Sequence, residues 1–201
     1  MVKNTIESYD VKASDCYAFT SSKTVKNGLQ LRVGNMVGGF PFVMNGVKFW
    51  TSESAYIVGA FSNDTDNHRA IQRELVDCKN GFVAKKFIRA PHEAERREDW
   101  EQYNVDWMRY VVWCKCKGNE GFARLLTAIP AHCDIVEDST SMKSATAQFW
   151  GVVNGVGVNM MGKILMEMRD CLLSGSVPDI DFQRLREKNI WILGEKVDFL
   201  E

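Results

Sequence analysis

The sequence predicts a mixed α+β fold that is mostly helical and contains a small β-hairpin or sheet. Asn45-Gly46 separates two short runs of apolar and aromatic residues, as in a tight hairpin whose turn positions favour positive φ. Apolar residues recur at helical spacing in later segments, most clearly along 161–172. Hydrophobic residues make up 45% of the 201 residues, enough for a core without disulfides or metals. We therefore expect a single, largely helical domain.

The charge balance limits the kinds of partner. The chain has 25 basic and 26 acidic residues and a formal net charge of -1. It therefore lacks the overall positive field of a protein that coats nucleic acid, and any such contact is expected to be local. No apolar run approaches the ~20 residues of a membrane-spanning helix. We predict no membrane partner.

The cysteines favour a reducing compartment. There are six, and the first residues of the chain form no apolar signal segment, so we expect free thiols and a cytoplasmic protein. Cys114 and Cys116 are too close for a usual zinc site and lack a second pair of ligands. The three histidines have no ligand spacing. The sequence therefore predicts no metal and no cofactor.

The first half of the chain divides into an arm, the hairpin and helices. Residues 1–30 are polar with little periodicity and predict an irregular arm or a partly disordered tail. Hydroxyl side chains after the hairpin are suited to cap a helix over 52–61, with Glu53 in its first turn. A second helix is expected to end at Asn80-Gly81. The segment FVAKKFIRA that follows is only a short apolar and basic stretch.

The second helix has a predicted cap and a predicted orientation. Asp66 or Asn67 is expected to cap it. Its inward face is expected to carry Ile71, Leu75 and Cys78. Its outward face is expected to carry His68, Arg69 and Arg73.

The second half of the chain contains further helices and one extended piece. Helices are predicted up to Gly118 and in GFARLLTAI, and a brief strand in CDIVED. The glycine-rich run FWGVVNGVGVN precedes a helix that ends at Gly175. A last helix near 179–188 and the apolar IWIL are expected to pack back on the protein. The predicted organisation is an arm at 1–30, a domain at 31–175 and a C-terminal extension at 176–201.

Glu53 is the candidate catalytic carboxylate. Helical spacing puts Tyr56, Ile57 and Ala60 on the same face, so this carboxylate lies at the edge of an apolar stripe. A glutamate in a first turn is also explained by its favourable interaction with the helix dipole. Both interpretations stay open at this point.

Two further features could contact a nucleotide. The glycine-rich run leads into a helix N-terminus, whose N–H groups favour a phosphate, although an ordinary connecting loop is the commoner explanation. Trp100 and Trp150 lie beside polar or glycine-rich segments and could form walls on which a flat base stacks. Their alternative is a place in the core.

Four segments, in order, resemble the NADAR family of YbiA-like proteins, whose name refers to NAD and ADP-ribose. They are FPFVMNGVKFWTSESAYIVGAF, RREDWEQYNVDWMRYV, IVEDS and FWGVVNGVGVNMMGKILMEMR, over roughly residues 34–172. They match the hairpin of the family, its T/S-S/V-E-x-x-Y helix, R-x-x-W, L/V-x-E and W-G, and its closing G-x-N-x-L/M-G-x-x-L-M-x-x-R. The resemblance implies a YbiA-like (NADAR) fold.

The resemblance also implies an activity and a site. Such proteins are N-glycosidases: known members release ADP-ribose from guanine in DNA or from nucleotides, and others split ribosylamino-pyrimidine intermediates of riboflavin synthesis. By motif position it implies Glu53 and Glu137 as catalytic residues. The substrate-binding residues it implies are Asn35, Tyr56, Arg97, Trp100, Trp150, Gly151, Gly157 and Asn159.

Two positions depart from the family pattern. The usual lysine of the first helix is Ala60 here, and the aspartate of YbiA-like members before the aromatic-Trp-Gly is at or near Ala147. Three explanations are open: another lysine supplies the charge, carboxylates alone suffice, or the protein binds without turnover. The candidate lysines are Lys85, Lys86 and Lys143.

The expected mechanism follows from the chemistry of a ribose C–N bond. We expect Glu53 to activate water and contact the ribose, with Glu137 as the partner acid or a ribose ligand. The amides of 155–159 are expected to hold phosphate, and Arg97 to pair with the pyrophosphate.

The preferred substrate is ADP-ribosylated guanine in DNA, with ADP-ribose as the product. The basis is a local cationic cluster at Lys85, Lys86 and Arg89, together with the polar N-terminal arm. The alternatives are an N-glycosidase of riboflavin intermediates and a non-catalytic ADP-ribose-binding protein.

Overall fold

The computed structural model describes residues 4–20, 24–142 and 144–199, so Lys143 lies outside the described residues. Within them the strands pair two by two, and the mixed, largely helical class is confirmed. The strands are β1 (Glu7–Ser8), β2 (Cys16–Phe19), β3 (Thr24–Lys26), β4 (Leu29–Leu31), β5 (Phe42–Met44), β6 (Val47–Phe49), β7 (Asp134–Glu137), β8 (Val156–Gly157), β9 (Trp191–Ile192) and β10 (Glu195–Lys196). The α-helices are α1 (Ser52–Ala60), α2 (Asp66–Asp77), α3 (Gly81–Val83), α4 (Asn104–Gly118), α5 (Glu120–Thr127), α6 (Ala145–Trp150), α7 (Met160–Ser174) and α8 (Phe182–Glu187). A π-helix spans Ala84–Arg89, and 3-10 helices span Ala90–Glu95 and Trp100–Gln102.

Contacts group the chain into two compact units. The first unit comprises Met1–Gly34 and Glu120–Pro178, and the second comprises Asn35–Asn119 and Asp179–Glu201. The predicted organisation into an arm, a domain and an extension rests on composition and motif positions, and it stays a prediction.

The first unit is built around a parallel strand pair. β2 lies beside β7, with Phe19 opposite Glu137, and α7 packs against β7. Arg169 of α7 is 2% exposed and donates hydrogen bonds to three backbone carbonyls. Those carbonyls belong to Pro130, Ala131 and Cys133. This buried guanidinium therefore fixes the turn that leads into β7.

The prediction that residues 1–30 lack regular secondary structure is wrong for the part that the structure describes. β1, β2 and β3 all lie there, and Phe19 in β2 is 1% exposed. β3 and β4 are joined by Asn27-Gly28, whose φ angles are 50° and 76°. Strands this short give no readable alternation. The Asn-Gly dipeptide was the available signal, because it is the same turn chemistry that marks the 45–46 hairpin.

The second unit contains the predicted hairpin and the helix that follows it. β5 pairs with β6 across Asn45-Gly46, with φ angles of 49° and 73°, so the hairpin is confirmed. The hydroxyl of Thr51 accepts a hydrogen bond from the Ser54 amide at 3.1 Å and caps α1. All nine residues of α1 are buried. The predicted cap and Glu53 in the first turn are therefore both confirmed.

A close approach holds α1 against α4. A β-carbon at Gly59 would lie 2.7 Å from Cε2 of Trp107, inside any real contact distance. The Trp107 indole N–H donates to the carbonyls of Ala55 and Tyr56 at 3.1 and 3.2 Å. The Tyr103 hydroxyl donates to the Gly59 carbonyl at 2.8 Å. Glycine is required here because the indole occupies the space of a side chain.

The second helix is confirmed, but its predicted cap is wrong. Ile71 and Leu75 are 2% and 0% exposed, as the helical spacing predicts. The hydroxyl of Thr65, rather than Asp66 or Asn67, accepts the capping hydrogen bond. Three polar residues in a row can all act as caps, so the sequence alone does not choose among them.

The prediction that His68 points outward is also wrong. Its side chain is buried, and Nδ1 accepts from the Asn63 amide at 3.0 Å. The other ring nitrogen then donates to the Glu95 carbonyl at 2.8 Å. A histidine with backbone partners for both nitrogens is stable in a core, which helical periodicity cannot reveal.

The C-terminal segment packs as predicted. α8 lies within the expected 179–188, and Ile190 and Ile192 are 1% and 0% exposed. The Trp191 amide donates to the Ser62 carbonyl at 3.0 Å. The apolar IWIL run therefore joins the core of the second unit.

Several general features concern the described residues as a whole. Residues 4–20, 24–142 and 144–199 contain no helix that is long and apolar enough to cross a membrane. The same ranges contain no group of three or more His, Cys, Asp or Glu side chains placed to hold a metal ion. The six cysteines are all free thiols.

Gly59→Ala is expected to lower the free energy of unfolding by about 2 kcal/mol, because the added methyl group forces the Trp107 indole away from α1. Chemical denaturation measures the change. Gly38→Ala is the matched control, since the nearest atom to its new β-carbon would be the Lys79 carbonyl oxygen at 3.6 Å. Equal stability of the two variants would show that the α1 and α4 contact is not tight.

Candidate active site

The backbone fixes Glu53 at the start of α1. Its amide donates to the Asn35 carbonyl at 3.1 Å, and the next amide is capped by Thr51. Glu53 itself is 6% exposed. The amides of Glu53 and Ser54 thus have protein acceptors. The carboxylate is the group at this helix end that is left for chemistry.

The Glu53 carboxyl group is held in an unusual electrostatic state. Burial raises its pKa above the ordinary 4.5, while the charges of Lys85 and Arg89 act in the opposite direction. No side chain of the described residues donates a hydrogen bond to this carboxyl group. A buried carboxylate without a donor is costly for the folded state, and such groups concentrate at functional sites.

An irregular helical segment brings the two cations towards Glu53. A β-carbon at Gly81 would lie 2.7 Å from Cα of Met36 and 3.1 Å from Cβ of Glu53, so the first turn of this segment closely approaches α1. The π-helix that follows is packed against α1. Its buried residues are Ala84 and Ile88. Single π-turns within helices are frequent at functional sites.

Arg89 has a carboxylate partner of its own. Its guanidinium forms a two-pronged ion pair with Glu93, at 3.0 Å from Nε and 3.3 Å from Nη2. The burial of Arg89 and its interaction with Glu53 place it between an exposed and a buried carboxylate. From the sequence, Arg89 was predicted only as part of a surface cluster. A π-helix does not follow the 3.6-residue period that is used to place side chains.

An aromatic cluster lies beside the carboxylate. The rings of Tyr56 and Trp100 are 4.9 Å apart, and those of Trp100 and Tyr103 are 5.2 Å apart. Burial first, and then the charge of Glu53, raises the pKa of Tyr56 far above its ordinary value. Trp100 is only 2% exposed. Its ring is therefore almost fully covered by protein and packs on Tyr56, and its assignment to the substrate site stays a prediction.

Arg97 is engaged within the protein. Its Nε and Nη2 groups bind the Asp99 carboxylate at 2.9 and 3.0 Å. Its remaining hydrogen bonds go to three carbonyls. They belong to Ser62, Lys188 and Asn189. The guanidinium that was expected to pair with a pyrophosphate thus joins the C-terminal segment to the rest of the second unit, and a phosphate would have to displace these acceptors.

Three of the candidate residues in the first unit have structural surroundings that explain their identity. Asn159 is 0% exposed and lies in the left-handed region with φ 54°. Its side chain accepts from the Glu137 amide at 3.0 Å and donates to the Ile135 carbonyl at 2.9 Å. β-carbons at Gly151 and Gly157 would lie 2.7 Å from Oγ of Ser139 and 2.6 Å from the Gln148 carbonyl oxygen, respectively. These residues fix the entry to α7 against β7.

Glu137 and Trp150 are more open. Glu137 ends β7 and is half-buried, and its backbone carbonyl accepts from the Val152 amide at 2.8 Å. Trp150 is half-buried at the end of α6, with its ring 5.3 Å from that of Phe149. Their assignment to the site stays a prediction from the resemblance.

The glycine-rich run is not an open phosphate loop. Asn154-Gly155 forms a tight turn with φ angles of 53° and 76°. The amides of Val156, Val158 and Asn159 donate to protein carbonyls at 2.9–3.1 Å. The expectation that the amides of 155–159 hold a phosphate is therefore wrong for these three groups. Like the pairs at 27–28 and 45–46, this Asn-Gly pair forms a turn, and the turn leads the chain into β8. The turn explains why the run is rich in glycine.

The candidate residues divide between the two units. Asn35, Glu53, Tyr56, Arg97 and Trp100 belong to the second, and within it Glu53, Tyr56 and Trp100 come together. The others, Glu137, Trp150, Gly151, Gly157 and Asn159, belong to the first.

The two positions that depart from the family pattern are buried. Ala60 and Ala147 are 1% and 7% exposed. Of the lysines suggested as replacements, Lys85 acts on the pKa of Glu53. Lys86 instead lies over the rings of Phe82 and Phe87.

Comparison with solved structures shows a likeness in fold. The chain is similar to an NMR structure of the E. coli protein YbiA, with a TM-score of 0.59 and 21% sequence identity. The match covers 79% of this chain and 86% of that chain. This chain has a YbiA-like fold. The fold expected from the four sequence segments is thereby confirmed, whereas no family model and no curated protein sequence matches the chain.

Glu53→Gln is expected to stabilise the protein at neutral pH. The raised pKa means that the folded state holds the proton more tightly, so wild-type stability falls as pH rises above 4.5. Glutamine removes this cost. Thermal unfolding of both proteins between about pH 4 and pH 8 should show a gain that shrinks towards the acidic end.

Glu7→Gln is the matched control with the opposite sign. Hydrogen bonds, first from Lys163 and then from Tyr9, lower the Glu7 pKa to about 2. Its stabilisation is fully present above pH 4.5 and is lost as the pH falls from 4.5 through about 2. This variant should therefore be less stable than wild type at neutral pH. A Glu53→Gln variant that behaves like Glu7→Gln would contradict the electrostatic state described for Glu53.

Proposed function

We propose that this protein is an N-glycosidase that removes ADP-ribose from guanine bases in DNA, with Glu53 as its catalytic carboxylate. The observation that carries the proposal is the Glu53 side chain, which is buried, receives no side-chain hydrogen bond from the described residues and lies near two cations. The YbiA-like fold is consistent with glycosidase chemistry in general.

The chemistry needs a base and a centre of negative charge near the anomeric carbon. The oxygen of a water molecule attacks this carbon while the electrons of the C–N bond move to the base nitrogen. The Glu53 carboxylate takes the proton of the water, and its charge stabilises the oxocarbenium-like transition state. The leaving base must be protonated, and the resemblance offers Glu137 for this step.

The two cations have a definite part in this scheme. Glu53 must be ionised to act as a base, and Lys85 and Arg89 oppose the effect of burial on its pKa. A guanidinium is also suited to bind the oxygens of a diphosphate, which would then replace Glu93 as the partner of Arg89. The substrate would thus carry the charge that pairs with the site.

The scheme needs no lysine at the position of Ala60. Ala60 is packed in the interior of the protein, and its backbone carbonyl accepts a hydrogen bond from the Arg97 amide at 2.9 Å. The cationic function is supplied instead from the π-helix, by Lys85 and Arg89. Among the three explanations left open by the sequence, we therefore favour a charge supplied from elsewhere.

A second candidate function follows from the pKa of Glu53. A carboxyl group that stays protonated at neutral pH donates a hydrogen bond and does not activate water. The protein would then be a non-catalytic ADP-ribose-binding protein. The riboflavin-intermediate glycosidase remains the third candidate, and a small substrate without a diphosphate would leave the Arg89 site unused.

Glu53→Gln is expected to lower the turnover of ADP-ribosylated guanine in an oligonucleotide by about 10²–10⁴-fold, the usual contribution of a general base. Chromatography of released ADP-ribose measures it. Glu74→Gln is the control, because Glu74 is an exposed residue of α2 in the same unit. Equal turnover by wild type and Glu53→Gln would contradict the assignment.

A substrate panel separates the three candidate functions. The panel holds the modified oligonucleotide, an ADP-ribosylated guanine nucleotide and a ribosylamino-pyrimidine, with calorimetry of ADP-ribose alongside. Turnover of the first two supports the proposal, and turnover of the third alone supports a riboflavin role. Binding of ADP-ribose without turnover of any compound supports the non-catalytic function.

A further inference from the structure

Two aromatic side chains of the irregular helical segment are exposed. Phe82 and Phe87 are 54% and 60% exposed, and their rings meet edge to face at 6.4 Å. The ammonium group of Lys86 lies 5.4 Å from the centre of each ring. Single exposed apolar residues are common on protein surfaces, whereas exposed aromatic rings that cluster with a cation more often mark a binding surface.

The charge around these rings is one-sided. Residues 78–92 contain Lys79, Lys85, Lys86 and Arg89 but no Asp or Glu, in a chain whose net charge is -1. The nearest acidic residue on the C-terminal side is Glu93, which is paired with Arg89. The segment is therefore a local positive surface, of the kind that binds a phosphate backbone.

A neighbouring tryptophan repeats the same combination. The ammonium groups of Lys48 and Lys79 lie 4.4 and 4.8 Å from the centre of the Trp50 ring. Trp50 directly precedes the Thr51 cap of α1, and Lys79 lies three residues before Phe82. Aromatic rings and lysines thus alternate on both sides of the point where this segment approaches α1.

This surface adjoins the Glu53 carboxylate. Gly81, directly before Phe82, is the residue that closely approaches Glu53. Lys85 and Arg89, in the same segment, act on the pKa of that carboxyl group. The segment that carries the exposed rings thus contacts the helix turn that carries the carboxylate.

We propose that Phe82, Lys86 and Phe87 form a docking surface for single-stranded nucleic acid next to Glu53. The rings stack on unpaired bases and the lysines contact the phosphates on either side. Single strands fit better than a duplex, because paired bases hide their faces and because a buried carboxylate reaches a ribose only when the nucleotide is extruded. The inference rests on the proposed function for the identity of the reacting nucleotide, and the surface itself is testable without it.

The test measures binding of an unmodified, fluorescently labelled oligothymidine of about 12 nucleotides, a typical site length for such surfaces. Fluorescence anisotropy should show binding that weakens with salt, with a weaker signal for a duplex of the same length. The double variant Phe82→Ala/Phe87→Ala should bind the single strand about tenfold more weakly or worse, from the loss of stacking. Lys86→Gln should reduce the slope of log K against log salt by about 0.7.

Leu173→Ala/Val177→Ala is the matched control. These two residues are 53% and 68% exposed, so their loss also removes exposed apolar side chains, and neither belongs to the surface defined above. It should bind like wild type. Equal binding by both double variants would overturn the proposal, as would tight binding to anionic lipid vesicles with none to the oligonucleotide. The latter result would make the surface a membrane contact.

Failure of this inference is distinguishable from failure of the proposed function. The oligothymidine carries no ADP-ribose, so its binding does not depend on cleavage. Turnover of an ADP-ribosylated guanine nucleotide without oligothymidine binding overturns the surface and leaves the glycosidase intact. Oligothymidine binding without any turnover supports the surface and counts against the glycosidase.

Discussion

The burial of α1 on all sides is the constraint on which the rest of the second unit depends. A helix with every residue covered needs neighbours that come close, and the Trp107 indole meets this need by lying where a side chain at position 59 would be. The same packing removes water from the first turn, where Glu53 lies. The raised pKa of this carboxyl group is thus a consequence of how the helix is packed, because the same contacts that stabilise the core remove water from the carboxylate.

The irregular segment after α2 offsets part of the electrostatic cost. Gly81 allows it to approach α1, and its π-helix carries Lys85 and Arg89 on the side of the carboxylate. Arg89 pairs with Glu93 and is partly exposed. Under the proposed function, a phosphate-bearing substrate would replace Glu93 as the partner of Arg89.

Strong local signals were sufficient to predict part of this structure from the sequence. The 45–46 hairpin, the hydroxyl cap of α1 and the first-turn position of Glu53 were all readable, because each depends on a few adjacent residues. The buried His68 and the strand β2 were not, since both depend on partners distant in sequence. The π-helix was not predicted for a different reason: its side chains do not follow the 3.6-residue period on which helix prediction relies.

The glycine-rich run shows how one pattern supports two interpretations. Glycines before a helix predict an anion site when their amides are free, and here the amides of Val156, Val158 and Asn159 donate to protein carbonyls. Only the structure shows these hydrogen bonds, two of which reach back eight and ten residues along the chain. The resemblance to the NADAR family predicted the fold correctly, and the assignment of the site residues, Glu53 included, remains a prediction.

The central claim is that Glu53 is a desolvated carboxyl group whose ionisation is opposed by burial and favoured by the charges of Lys85 and Arg89. Its most direct test is an NMR titration of the protein labelled with ¹³C at the glutamate carboxyl carbons, with Glu53→Gln used to assign the signal. The account predicts a midpoint above 4.5 in the wild type and a higher one in Arg89→Gln. A midpoint at or below 4.5, or one that Arg89→Gln leaves unchanged, would contradict it.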